Sequence, residues 1–301
     1  MNVEFVPAAT EPENFHPLTC TRTLADCPVA NRPFREAQRA EFDAARFALG
    51  GAPDDLTLFV RGNAWLHEQD LRRIKAITQP MVIRAADGDT LAWTGAGTLA
   101  GDATAAFAAD SSLLVTFLWD LLRLNEILVN RLTASHLDGT VSDKATVDGH
   151  LVLGKGSRVL PGAYLEGNVI VGDACQIGPN CYVRGPTSIG HNCRVGNGVE
   201  IKASILLPGA HVGHLSYVGD SILGENVNLG GGTITANFRH DGRLQRAMVG
   251  GRLVETRRRK LGAVFGDKVH TGIHTSIYPG RKLWPGVTTL PGDVVRQDLE
   301  A

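Results

Sequence analysis

Arg184 and Lys202 stand 18 residues apart, and so do Tyr182 and Glu200. In a chain that repeats every 18 residues, such pairs occupy the same site on successive layers, roughly 4.8 Å apart at the backbone. Stacked like charges cost energy unless an anion lies across them. With the Glu200 carboxylate beside them, the two cations suit a phosphorylated ligand that carries a second polar group; the plainer alternative is a pair of exposed side chains that splay apart. His211 and His214 follow in HVGHLSYVGD. An imidazole titrates near 6.5, which makes it the side chain best poised as a general base at neutral pH, although a lone His on a scaffold is more often structural. The histidines share no corner spacing that would make a ligand set, so no metal site is expected. A third group is basic: Arg239, Arg243, Arg246 and the run Arg257-Arg258-Arg259-Lys260. A solvated surface loop and a binding loop account for it equally well.

The element that positions these residues is a strict period. Every sixth residue from Val141 to Ile201 is a branched aliphatic: Val141, Val147, Leu153, Val159, Leu165, Val171, Ile177, Val183, Ile189, Val195 and Ile201. Four residues after each comes a mostly small column that includes Cys175, Cys181 and Cys193, and one residue after it Gly recurs at 154, 172, 178, 190 and 196. A period of six fits neither an α-helix nor a hairpin meander, and it is the hexapeptide repeat of a parallel β-helix, with three hexads to a coil. The glycines are expected at corners of positive φ. After Ile201 the period loses one residue and resumes at Leu206, Val212 and Val218, then slips again before Leu223 and Leu229. Residues 236–262 break it, and it returns at Phe265, Thr271, Ile277, Leu283 and Thr289. This predicts an insertion loop thrown out from one corner, where binding residues often lie.

Ahead of the solenoid, residues 1–110 read as mixed α/β. The expected elements are a strand at Val3–Val6, a helix around Arg35–Ala48, a strand at Leu56–Arg61 and a helix at Glu68–Ile77. A hairpin is expected about Asp87-Gly88, and the Ala/Gly-rich run Gly95–Ala109 reads as linker. Apolar spacing from Ser111 to Leu132 predicts a long helix across the solenoid's open end. The domains expected are therefore 1–110, a linking helix within 111–136, and a β-helix over 137–301.

The chain has 301 residues, 30 basic against 31 acidic, for a net charge of −1. No bulk field favours nucleic acid. No apolar run approaches the roughly 18 residues of a membrane span, and MNVEFVPAATEPENF lacks the apolar core of a signal peptide. The five Cys are an odd count, three of them on the buried small column, which fits a reduced, cytoplasmic protein.

One stretch carries a specific resemblance. GHLSYVGDSILGENVNLGGGTITAN (213–237), continued by FRHDGR, RRRKLGAVFGDKVHTGIHTSIYPG and onward, resembles the acetyltransferase half of the GlmU-like family over roughly Thr187–Val295. These are the bifunctional glucosamine-1-phosphate acetyltransferase/N-acetylglucosamine-1-phosphate uridyltransferases and their archaeal sugar-phosphate relatives. The resemblance implies a left-handed β-helix, a homotrimer with active sites between subunits, acetyl-CoA as acyl donor, and a step in UDP-N-acetylglucosamine biosynthesis. It further implies His214 as the base that deprotonates the sugar amine. Arg184 and Lys202 would hold the sugar phosphate, with Tyr217 and Asn228 as further contacts and Glu200, from the stacking above, as a substrate-binding carboxylate beside them; Gly231, Asn237 and Phe238 would lie near the acyl-CoA. Phe238 stands where the bacterial pattern has Tyr, Gly231 where it has Ala, and Ile273 where it has a small polar residue.

The N-terminus resembles the same family's nucleotidyltransferase signature in FVPAATEPENFHPLT (5–19) and TRTLADCPVANRPF (21–34). Its flanks match while the working residues do not. Thr10 and Pro12 replace glycines of the phosphate-cradling loop, Glu13 and Asn14 replace its Thr and Arg, and Leu24 replaces its Lys. A proline has no N–H to give a phosphate. A shortened, degenerate domain follows, with Mg2+ relevant only if it is active. Three functions are thus in play: N-acyl transfer to an amino-sugar phosphate or nucleotide-linked amino sugar, a retained sugar-phosphate nucleotidyltransferase, and a non-enzymatic sugar-phosphate-binding module.

Overall fold

The computed structural model describes residues 1–8, 10–47, 49–50, 56–95 and 106–300. They form two compact units: Met1–Glu11, Leu24–Asp26 and Arg32–Asp120 in one, and Pro12–Thr23, Cys27–Asn31 and Leu121–Ala301 in the other.

The larger unit is a left-handed parallel β-helix, and the chain as a whole is mainly β. Its strands stack into three sheets of eight, six and eight members. One sheet runs from His136–Leu137 to Lys282–Leu283 and is called here the helix face; the second, from Thr140–Val141 to Asn228–Leu229, is the histidine face. The third, from Thr146–Asp148 to Val294–Val295, is the cation face. Register confirms the six-residue column, since Val147 pairs with Leu165, Leu165 with Val183 and Val183 with Ile201. From Leu153 to Ile201 every member of that column is buried in one continuous core with Cys175, Cys181 and Cys193. Each such side chain contributes about 1.5–3 kcal/mol, and burial pushes the Cys181 thiol up to about 12, so it is not a nucleophile at neutral pH.

The glycines one residue after the column have a different reason from the one expected. Of those singled out, Gly178 alone takes positive φ, at 100°. Gly172 and Gly190 are small because a Cβ there would lie 2.8 Å from the His191 amide nitrogen and 2.7 Å from that of Pro208, on the next coil. Close approach of coils excludes the side chain. The positive angles fall elsewhere, as at Gly162, Asn180 and Gly198.

The two slipped steps are a single tightened corner repeated. Arg184 pairs with Lys202 at a step of 18, but Ile189 pairs with Leu206, and Leu206 with Leu223, at steps of 17. The residue is lost between the cation and helix faces, where Ala203 and Asp220 take φ of 44° and 50°. Beyond it the succession of coils is interrupted. Ile222–Leu223 pairs directly with Val264–Phe265, and the chain between forms an antiparallel hairpin of Arg246–Val249 with Arg252–Glu255. A bridge between Phe238 and Lys260 closes its base.

The linking helix is shorter than predicted, spanning Leu118–Asn130. Leu113–Leu114 is held as a strand against Ala64–Trp65, and Asp120 accepts hydrogen bonds from the Thr116 and Phe117 amides at 2.9 and 2.8 Å. Nor does the helix close an end of the solenoid. Its buried Asn125 accepts from Ser188 at 2.7 Å, and Asn168 donates to the carbonyls of Val129 and Leu132 at 3.2 and 3.0 Å. These partners lie along the flank of the helix face, because a buried amide must find hydrogen bonds wherever the sheet offers them.

Two pieces of the signature-like N-terminal stretch, Pro12–Thr23 and Cys27–Asn31, belong to the solenoid's unit. Thr21 and Arg22 donate to Asp267, Arg22 at 2.7 Å, and Asn31 donates to the Ile189 carbonyl at 2.5 Å. The smaller unit is a five-stranded mixed sheet, in order Val3–Val6, Leu58–Arg61, Thr90–Thr94, Val82–Ala85 and Ala106–Ala109. Helices Phe34–Ala44 and Glu68–Ile74 pack with it about Phe42, Leu58, Leu71 and Ile83. The hairpin about Asp87-Gly88 is present. Of the expected linker, residues 96–105 lie outside the described residues, while Ala106–Ala109 is a strand paired with Val82–Ala85.

Candidate active site

On the cation face, two columns of outward side chains run along the coils. One reads Asp148, Glu166, Arg184, Lys202 and Gly219; the other reads Tyr164, Tyr182, Glu200 and Tyr217. Alternation along a strand sends Tyr182 and Arg184 outward while Val183 enters the core. The periodicity therefore names true neighbours.

Each cation in the column already has a carboxylate. Arg184 lies 3.1 Å from Glu200 and 3.5 Å from Glu166, with its guanidinium over the Tyr182 ring, and the Glu200 hydrogen bond raises its pKa above the ordinary value. Lys202 lies 2.9 Å from the buried Asp220. Contrary to the expectation from their spacing, the two stacked cations need no bridging anion. Two like charges on successive coils are stable because acidic residues flank both.

Asp220 is the hub. Besides Lys202 it accepts from the Asn237 amide at 2.6 Å, and Asn237 also donates to the Tyr217 hydroxyl at 2.9 Å. Arg258 reaches in from the insertion, 2.5 Å from Glu126 on the linking helix and 4.0 Å from Asp220. Burial, helped by the charges of Asp220 and Glu200, raises the Tyr217 pKa, so this hydroxyl remains a neutral donor at neutral pH. Gly219 permits the arrangement, since a Cβ there would lie 2.7 Å from the Asn237 amide nitrogen.

His214 ends the strand His211–His214 on the histidine face, one corner before Tyr217–Gly219. Its side chain is exposed. Its carbonyl accepts from the Ser216 hydroxyl at 2.7 Å and from the Gly232 amide at 3.1 Å, which fixes the corner. Gly231 lies against it: a methyl group at that position would be 3.5 Å from the His214 Cβ, an ordinary contact. Gly in place of Ala is thus sterically neutral.

Of the residues expected at the site, Arg184, Glu200, Lys202, Tyr217 and Asn237 form one network, and His214 with Gly231 forms a second group one corner away. Asn228 is separate, since it pairs with His211 and bridges to His270 in another column of the histidine face. Phe238 is exposed beside Asn237. Three participants were missed. Glu166 lies 18 residues before Arg184, so the same period would have named it. Asp220 was hidden by the tightened corner, and Arg258 reaches the network through an insertion that no period aligns. Among the described residues no group of His, Cys, Asp and Glu has the arrangement of a metal site, and no helix is long and apolar enough to cross a membrane.

This stretch is also where the chain is similar to known proteins. The family model described as the GMPPB C-terminal domain matches residues 165–279. A bifunctional sugar-1-phosphate nucleotidylyltransferase/acetyltransferase of Sulfurisphaera tokodaii is 37% identical over 181 residues, 60% of this chain and 45% of that protein. The bifunctional protein GlmU of Methanococcus maripaludis strain C7 is 47% identical over 182 residues, 60% of this chain and 44% of that one. The chain thus matches less than half the length of these relatives. Among solved structures, a UDP-N-acetylglucosamine acyltransferase matches 54% of this chain and 68% of its own at 15% identity, with a TM-score of 0.26.

Proposed function

Taking the β-helical part of this chain as GlmU-like, we propose that it is an acyl-CoA-dependent N-acyltransferase acting on an amino-sugar phosphate. The observation that carries this reading is the placement of an exposed imidazole, His214, one corner from the Tyr217–Asn237–Asp220–Lys202 network. In the proposed reaction His214 takes a proton from the sugar amine as its nitrogen attacks the thioester carbonyl. The C–N bond forms, the C–S bond breaks, and CoA leaves as the thiol. Backbone N–H groups stabilise the developing oxyanion. Arg184 and Lys202 hold the sugar phosphate, exchanging part of their hold on Glu200 and Asp220 for it. Glu200, Tyr217 and Asn228 contact the sugar, while Gly231, Asn237 and Phe238 border the acyl donor. The assembly is a homotrimer with sites between copies, which accounts for Asn228 lying apart from the network within one copy.

The N-terminal part of the chain transfers no nucleotide in this reading. Pro12 opens a short turn in the place of a phosphate-binding glycine and offers no N–H, and Arg22 is held by Asp267 and Glu225. The test is release of CoA thiol from acetyl-CoA with glucosamine 1-phosphate and with other amino-sugar phosphates. Thiol release dependent on the sugar supports the proposal. A sugar phosphate that raises Tm with no acceptor-dependent thiol release overturns it in favour of a binding module, which the carboxylate-paired cations would also permit.

A further inference from the structure

We infer that the insertion carries a second anion site, built to hold a phosphate ester or diphosphate and separate from the Arg184–Lys202 column. Arg239, Arg243, Arg246 and Arg259 line one cavity of about 430 Å³ with Glu255, Leu244 and Gly242. Two of these cations come from the hairpin and the strand-like base, and the other two from the turn 239–243, so the fold brings them together from separate segments.

Their charge balance is unlike that of the cation face. Arg239 is held in a bidentate pair by Asp241, through Nε at 2.9 Å and Nη2 at 2.5 Å, which draws the Asp241 carboxyl well below its usual range. The guanidinium groups of Arg243, Arg246 and Arg259 make no hydrogen bond or ion pair among the described residues. Glu255 sits opposite Arg246 in the hairpin register, yet no ion pair joins them. With Asp241 set against Arg239 and Glu255 against one of the three, the cavity keeps an excess of two positive charges. The basic run divides accordingly, with Arg258 turned inward to Glu126 and Asp220 while its neighbour Arg259 lines the cavity. Three guanidinium groups held around one space repel one another, and a multivalent anion relieves that repulsion while accepting bidentate N–H pairs. A phosphate monoester or diphosphate matches both the charge and the geometry, whereas a monocarboxylate would neutralise half the excess.

The site does not depend on the acyl-transfer reading, and direct binding tests it. Calorimetric titration of the whole chain with inorganic pyrophosphate and with ADP at low salt should show binding. The combined variant Arg243→Ala/Arg246→Ala/Arg259→Ala should weaken it about tenfold or more. Arg184→Ala/Lys202→Ala should leave it within about twofold, which separates the two anion sites. Titration with CoA and dephospho-CoA then identifies the natural source. Given the loss of pyrophosphate and ADP binding, a parallel loss of CoA affinity that dephospho-CoA does not show assigns the cavity to the acyl carrier's 3′-phosphate, and unchanged CoA affinity assigns it to a free nucleotide. Absence of binding by the wild-type chain up to millimolar probe, or equal affinity in wild type and the triple variant, overturns the inference.

Discussion

Two groups of cations stand on one solenoid and are balanced in opposite ways. On the cation face Arg184 has Glu200 and Glu166, and Lys202 has Asp220. In the insertion, Arg243, Arg246 and Arg259 converge on a cavity with Glu255 as the one acidic lining residue. The first group is part of the fold, because regular coils stack whatever stands at equivalent positions and each of these two cations has a carboxylate partner there. The second is free of that demand, since a hairpin projecting into solvent keeps its cations hydrated. A spacing of like charges is therefore weak evidence for a ligand on a solenoid wall, and stronger evidence where neighbouring acids are scarce.

Substitutions can break this contrast, beginning with the hub. Asp220→Ala leaves Lys202, 18% exposed at its side chain, without its carboxylate and takes one of two acceptors from Asn237, which keeps the Tyr217 hydroxyl. Loss of one partner of a largely buried pair costs about 3 kcal/mol, which chemical denaturation should register as a lower midpoint. Lys282 gives a third kind of cation, buried and donating to the Met248 carbonyl at 2.5 Å. Burial lowers its pKa to about 8 from 10.5. The unfolded chain therefore binds more protons than the folded one between these values, and stability should rise as pH climbs from 8 to 10.5, by up to roughly 3 kcal/mol. Lys282→Met should flatten that rise, and a parallel pH profile in the variant would refute the burial cost. Arg184→Ala removes a cation whose side chain is 37% exposed, so its stability cost should stay below about 1 kcal/mol while sugar-phosphate affinity falls. The smallest effect per residue belongs to Arg243→Ala/Arg246→Ala/Arg259→Ala, expected to shift stability by no more than about 0.5 kcal/mol per site and toward a higher Tm. A marked loss of Tm would mean that these arginines have fold partners after all.

Much of this contrast was legible in the residues. The six-residue column gave the solenoid, its core and the 18-residue neighbours, because stacking coils at a fixed step is a purely periodic constraint. The insertion was legible as a break in that period. The hub was not: Asp220 sits in a corner shortened by one residue, one position beyond the Gly219 that pairs with Lys202. Corner chemistry was misassigned, since the recurring glycines answer mostly to the approach of the next coil rather than to positive φ. The helix Leu118–Asn130 was visible as an apolar stripe, but its place along the flank depends on Asn125, Asn168 and Ser188, three polar residues that no apolar spacing reports.

The most direct test of the proposed chemistry is the acetyl-transfer rate of His214→Ala with an amino-sugar phosphate acceptor, measured on protein shown to keep its fold and assembly. Loss of a general base should lower kcat by about 10²–10⁴-fold, with the sugar phosphate still raising Tm as in the wild type. Turnover within a few-fold of wild type in a folded His214→Ala variant would contradict the account.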